Sequence, residues 1–172
     1  MTTKAAIREA VQAASAYLTE HPDEARYRDG YARARVIEGL IVEVDGAGGE
    51  RLRSDMPTGI GGTASAPSPG WYVRAAAAAC VASLVAIRAA AESIELPADG
   101  LEITVDSESD DRGIQGLDES TPAGPLSVRV AVTAGVPGID RETVEALVRW
   151  AVDHCPVTDA IRRAVPLEIV VG

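Results

Sequence analysis

The spacing of apolar residues changes period several times along this chain. From Thr2 to Thr19 the apolar positions Ala6, Ile7, Ala10, Val11, Ala14 and Leu18 fall on one helical stripe, which His21-Pro22 ends. Apolar and polar residues then alternate through Tyr31 to Glu38, Leu40 to Asp45 and Glu50 to Asp55, with turn-like links at Glu38-Gly39 and Asp45 to Gly49. That pattern predicts a meander of three strands. Met56 to Pro69 is a loop containing Gly59-Ile60-Gly61-Gly62, and a long alanine-rich helix is predicted from Gly70 to Ile94, stopping before Pro97. Leu101 to Glu108 and Leu126 to Thr133 read as strands flanking a polar loop from Asp110 to Pro125. Asp140 opens a helix with Val144, Leu147, Val148 and Ala151 on one face, ending near His154. A short helix from Pro156 to Arg163 and a last strand from Leu167 to Val171 complete an α+β pattern without internal repeats.

Composition narrows the classes. The 172 residues suffice for a normal core, with residues 1–22 as a helical extension and 27–172 as the main domain. Phenylalanine is absent, so Ala, Val, Leu and Ile must build that core. A formal charge of −10 repels nucleic acid and anionic membrane surfaces and excludes both as partners. Met1 to Glu20 has no continuous apolar region of the kind a signal peptide needs, and the apolar stretch around position 80 is broken by Arg74 and Arg88. No membrane span is expected, and the expected location is cytoplasmic.

The candidate chemistry lies in two cysteines. Cys80 projects from the middle of the long helix. Cys155 directly precedes Pro156, a residue favoured at the first position of a helix, so Cys155 is the expected N-cap. A thiol there faces free N–H groups and the positive end of the helix dipole, which lowers its pKa. A mid-helix thiol has no such help and needs a cation from another segment. In a reducing compartment two cysteines point to catalysis or sensing. With only His21 and His154 beside them they lack the ligand spacing of a zinc site. The acidic run Asp106 to Asp111 lacks the glycine and distal glutamate of a calcium loop and reads as a solvated hairpin region. No metal or cofactor is expected.

Three motifs then acquire a joint meaning: Pro67-Ser68-Pro69 leading into Ala78-Ala79-Cys80, Val136-Pro137-Gly138-Ile139-Asp140, and His154-Cys155-Pro156-Val157. In that order, from about Tyr31 to Val171, the chain resembles the OsmC/Ohr family of thiol peroxidases. The resemblance implies an OsmC-like fold for 27–172: antiparallel sheets around long central helices in an intertwined homodimer, with active sites at the subunit interface. It implies reduction of organic hydroperoxides, Cys80 being the peroxidatic residue and Cys155 the resolving one, with a cellular thiol as reductant. It also implies an arginine that stabilises the thiolate, for which Arg53 is the match, with Arg51 two residues away on the same strand face. The family's peroxidases carry a glutamate just before the helix to orient that arginine, where this chain has Gly70. The competing implication is a binding protein or redox sensor that keeps the fold without turnover.

Overall fold

Alternation and turn chemistry build the first part of the chain as expected. In the computed structural model, which describes residues 3–97, 100–134 and 138–172, β1 (Ala32–Glu38), β2 (Ile41–Gly46) and β3 (Arg51–Ser54) form an antiparallel sheet in that order. The β1–β2 turn runs through Gly39 at φ +55°, a conformation a side chain would strain. Arg33 and Arg35 both reach Asp45 across the ladder, at 2.8 and 3.0 Å.

The loop after β3 is organised by one carboxylate. Asp55, only 1% exposed, accepts hydrogen bonds from the N–H groups of Met56, Thr63 and Ser65 and from the hydroxyls of Thr63 and Ser65. The loop closes so tightly that a Cβ at Gly62 would lie 1.8 Å from the Met56 carbonyl oxygen. Its far end is tied back by Ser54, whose hydroxyl donates to the Pro67 carbonyl at 3.0 Å. These elements belong to one compact unit, Ala13–Val73.

The other unit holds the residues before Ala13 and those from Arg74 on. Its axis is α2 (Pro69–Ala91), which starts in the first unit. Ser68 caps α2, accepting from the Trp71 N–H at 3.3 Å, with Pro69 at the first helical position. Ala77, Val81, Val85 and Ala89, each four residues from the last, make its buried stripe. Strands β4 (Leu101–Glu108) and β5 (Ser127–Ala134) pair antiparallel without a slip, and α3 (Asp111–Ile114) sits in the connection between them. Helix α4 (Arg141–His154) is capped by Asp140, which accepts from the Thr143 N–H at 2.7 Å, and α5 (Pro156–Arg162) follows after the single residue Cys155. Val81, Val85 and Ala89 of α2 close a core with Leu147 and Ala151 of α4 and with Cys155. The N-terminal helix α1 (Lys4–Glu20) begins in this unit, where Lys4 pairs with Glu95 and Arg8 donates to the Ser93 hydroxyl at 2.8 Å.

Three expectations need correction. The long helix ends at Ala91, not Ile94. Ser93 turns left-handed at φ +62° and the Ile94 N–H reaches back to the Ala89 carbonyl at 2.8 Å, a Schellman closure the apolar pattern does not encode. Leu167 to Val171 is not a strand: its pattern suits one, but a strand exists only with a ladder partner, and none among the described residues pairs with it. Finally, α2 is long and apolar enough by composition to cross a membrane, with a mean hydropathy of 1.7 over 18 residues, because two arginines do not offset so many alanines and valines. Its buried stripe is nonetheless the core of its unit. Thr2, Val136 and Pro137 lie outside the described residues.

Candidate active site

The core that joins α2 to α4 also joins the two cysteines. Cys80 precedes Val81 of the buried stripe and is half-buried at its edge. Cys155 continues the buried face of α4, four residues after Ala151, and is 0% exposed. It ends α4 and begins α5 at once, with extended backbone at φ −79° and ψ 120°. Helix α4 therefore carries Cys155 into the same core cluster that Val81, Val85 and Ala89 of α2 enter, and Cys80 packs against that cluster. The two thiols are free and near enough to act on each other's acidity.

Their environments separate their acidities. Burial pushes the Cys80 thiol up, proximity to Cys155 pushes it further, and only the Val157 N–H works against them. Burial also pushes the Cys155 thiol up, but there the N–H of Thr158, the Cys80 thiol, the Thr158 hydroxyl and the Val157 N–H together outweigh it and hold the thiol below its ordinary value. No cap hydrogen bond of regular geometry reaches the Cys155 sulfur, so these contacts act as oriented dipoles at a helix start. The Thr158 hydroxyl is committed elsewhere, donating to the Val152 carbonyl at 2.5 Å with the Cys155 carbonyl at 3.1 Å. The N–H groups at the start of α5 thus favour negative charge on Cys155, while burial disfavours it on Cys80.

Other candidate residues have their places. Arg53 lies in the Ala13–Val73 unit on β3, exposed, opposite Glu43 of β2, and its carbonyl accepts from the Tyr72 hydroxyl at 2.7 Å. Arg51 is likewise exposed on β3, opposite Asp45. Gly70 lies in the first turn of α2. The acidic run is neutralised by arginines: Asp106 pairs with Arg129 across the β4–β5 ladder and Asp110 with Arg112. Among the described residues no cluster of His, Cys, Asp or Glu is arranged to hold a metal ion. Beside the thiols, His154 stacks on Trp150 at 4.3 Å, and the Arg88 guanidinium lies over the same indole at 5.0 Å.

Residues 62–170, more than half of the chain, match the model of the family described as OsmC-like protein. The chain belongs to the OsmC-like family. Cys80 and Cys155 lie inside the matched residues of this OsmC-like chain; Arg53 and the N-terminal helix lie outside them. Among solved structures it is similar to an organic hydroperoxide resistance protein OsmC from Legionella pneumophila, at 27% identity and a TM-score of 0.59 over 80% of this chain and 91% of that one. Two further structures share the fold. An OsmC-like protein from Mycoplasma pneumoniae has a TM-score of 0.65 at 14% identity, covering 80% of this chain and 89% of that one. An OsmC-like protein of unknown function from Vibrio cholerae has 0.61 at 10%, covering 78% and 94%. None of the curated proteins searched matches the chain.

Cys155 stands at the N-cap of α5 as expected, and Cys80 lies mid-helix on α2 as expected, with the Val157 N–H of α5 as an added influence that the sequence reading did not include. Thr158 received no role from the sequence. Its signal was there: it stands three residues after the cap, where a hydroxyl can turn back on the preceding helix.

Proposed function

We propose that this OsmC-like protein is a thiol-dependent peroxidase that reduces organic hydroperoxides, with Cys80 as the peroxidatic residue and Cys155 as the resolving one. The supporting observation is the thiol pair itself: residues 75 positions apart share one core cluster inside the family-matched region and act on each other's acidity. Cys80, the more exposed, is the one a substrate can reach. In the resting pair its proton passes to the Cys155 thiolate, leaving a Cys80 thiolate. That sulfur attacks the terminal oxygen of the hydroperoxide, the O–O bond breaks, and the alkoxide leaves with the proton held by Cys155. Cys80 is now a sulfenic acid. The freed Cys155 thiolate attacks its sulfur, the S–S bond forms, and hydroxide leaves. A cellular thiol reduces the disulfide and restores the dithiol.

Arg53 is our candidate for the cation that favours the Cys80 thiolate. The same reading includes a homodimer in a cytoplasmic setting, with 27–172 as the OsmC-like domain and 1–22 as an extension. Exposed apolar surface supports the dimer: Ala76, Ala79, Ser83 and Ala86 form an open stripe on α2, and Leu167, Ile169, Val170 and Val171 are each at least 80% exposed.

Peroxide consumption by purified variants tests the reaction. Cys80→Ser should abolish turnover, and Cys155→Ser should react once and then stall or over-oxidise at Cys80. Full activity in Cys80→Ser would overturn the mechanism. Arg53→Ala should slow alkylation of Cys80 at neutral pH; an effect in Arg51→Ala alone would move the assignment to Arg51.

A specific observation also favours a second reading, a binding protein or redox sensor. Burial and the neighbouring Cys155 push the Cys80 thiol up, and Gly70 supplies no carboxylate to orient an arginine. Negligible turnover in the wild type, restored by Gly70→Glu, would favour that reading, whereas fast wild-type turnover would exclude it.

A further inference from the structure

The α4–α5 corner carries one side chain that the mechanism above does not use. Thr158 is 6% exposed, and its hydroxyl donates to the Val152 carbonyl at 2.5 Å, with the Cys155 carbonyl at 3.1 Å. Val152 lies in the last turn of α4, and its carbonyl is one of those a helix end leaves without an intrahelical partner. The Thr158 N–H faces the Cys155 sulfur from the first turn of α5. One residue therefore touches the end of α4, the backbone of Cys155 and the environment of its sulfur.

The direction of α5 depends on this contact. Between His154 and Pro156 only Cys155 departs from helical geometry, so the corner is a one-residue hinge. A hinge of one residue has few torsions, and a buried hydroxyl bridging its two sides fixes them. Val157 packs against the core and adds an apolar hold. Arg162 also reaches from α5 to α4, to Asp153 at 3.0 Å and to the Val152 carbonyl at 3.4 Å, but its side chain is half exposed and these contacts are correspondingly weak.

We propose that Thr158 is a positioning residue for the thiol pair: its hydroxyl locks the α4–α5 corner in the geometry that holds the Cys155 sulfur beside Cys80. The inference rests on the proposed redox role of the pair. Its consequence is specific. Loss of the hydroxyl should slow the closure of the disulfide, because a sulfur that wanders from its partner resolves the sulfenic acid less often.

Thr158→Val removes the hydroxyl at nearly constant volume, and Thr158→Ser keeps it. Each variant is equilibrated with glutathione buffers, and the ratio of disulfide to dithiol at positions 80 and 155 is read by mass. Thr158→Val should lower the equilibrium constant about fivefold to tenfold, the size expected for one lost buried hydrogen bond, while Thr158→Ser stays within twofold of the wild type. With excess organic hydroperoxide, Thr158→Val should also accumulate more sulfinic acid on Cys80 per turnover than the wild type. If the valine form does not fold, Thr158→Ala serves as the hydroxyl-free variant. A hydroxyl-free variant that matches the wild type in both measurements, or a serine variant as impaired as valine, would overturn the assignment. Because the glutathione equilibrium needs no peroxide, it tests Thr158 even where the peroxidase reading fails for want of turnover.

Discussion

At the scale of single residues, the two thiols shape each other. Cys155 is helped toward its charge by the Thr158 N–H and then by the neighbouring Cys80 thiol, and Cys80 is pushed away from its own by burial and by Cys155. Removing either partner should therefore move the other in opposite senses. Cys155→Ser should lower the pKa of Cys80, and Cys80→Ser should raise that of Cys155, each read from the pH dependence of iodoacetamide alkylation. Shifts of the same sign in both variants would mean that the thiols do not share a hydrogen bond. The result also decides the working pH. With Cys155 ionised first, reactivity at that sulfur should appear below the ordinary thiol range near 8.5, and reactivity at Cys80 only above it unless a cation is supplied.

At the scale of elements, what the chain announces and what it conceals divide along a physical line. Caps and first-turn prolines act within a few residues, so Asp140 before α4, Pro156 opening α5 and the Gly39 turn were legible. Effects that depend on distant partners were not. Ser93 closes α2 through a backbone conformation without any hydrophobic signature, and Leu167 to Val171 alternates like a strand yet finds no ladder partner here. The pairing of Cys80 with Cys155 was expected only through family resemblance, since no local pattern spans α2 and α4. The Asp55 loop belongs to the concealed kind, because its ligands Thr63 and Ser65 lie outside any turn motif centred on Asp55. Those donors favour the carboxylate, with the Thr63 hydroxyl contributing most, so its pKa lies well below the usual range. A carboxyl depressed in the folded state contributes stability above its unfolded pKa of about 3.9, and loses it as pH falls toward its folded value. Asp55→Asn should lower the melting temperature by several degrees at pH 7, and the gap from the wild type should narrow as the pH is taken below about 4. A constant gap across that range would show that the charge of Asp55 contributes nothing.

At the scale of the whole molecule, the proposed homodimer is open to a direct test. Light scattering should give twice the 17.9 kDa of the chain at low micromolar concentration, and a stable folded monomer would remove the dimer from the proposal. The thiol pair has a further consequence at this scale. A covalent link between positions 80 and 155 would tie off a ring of some 75 residues, and cross-linking a loop of that length restricts the unfolded chain by about 4 kcal/mol, less any strain in the folded form. For a chain of this size that corresponds to a rise of about 10 °C in melting temperature. The proposed cycle would then alternate between a form that resists unfolding more and one that resists it less. Calorimetry or limited proteolysis could follow that cycle without any peroxide assay, and the reductant would encounter a protein harder to unfold than the one the oxidant meets.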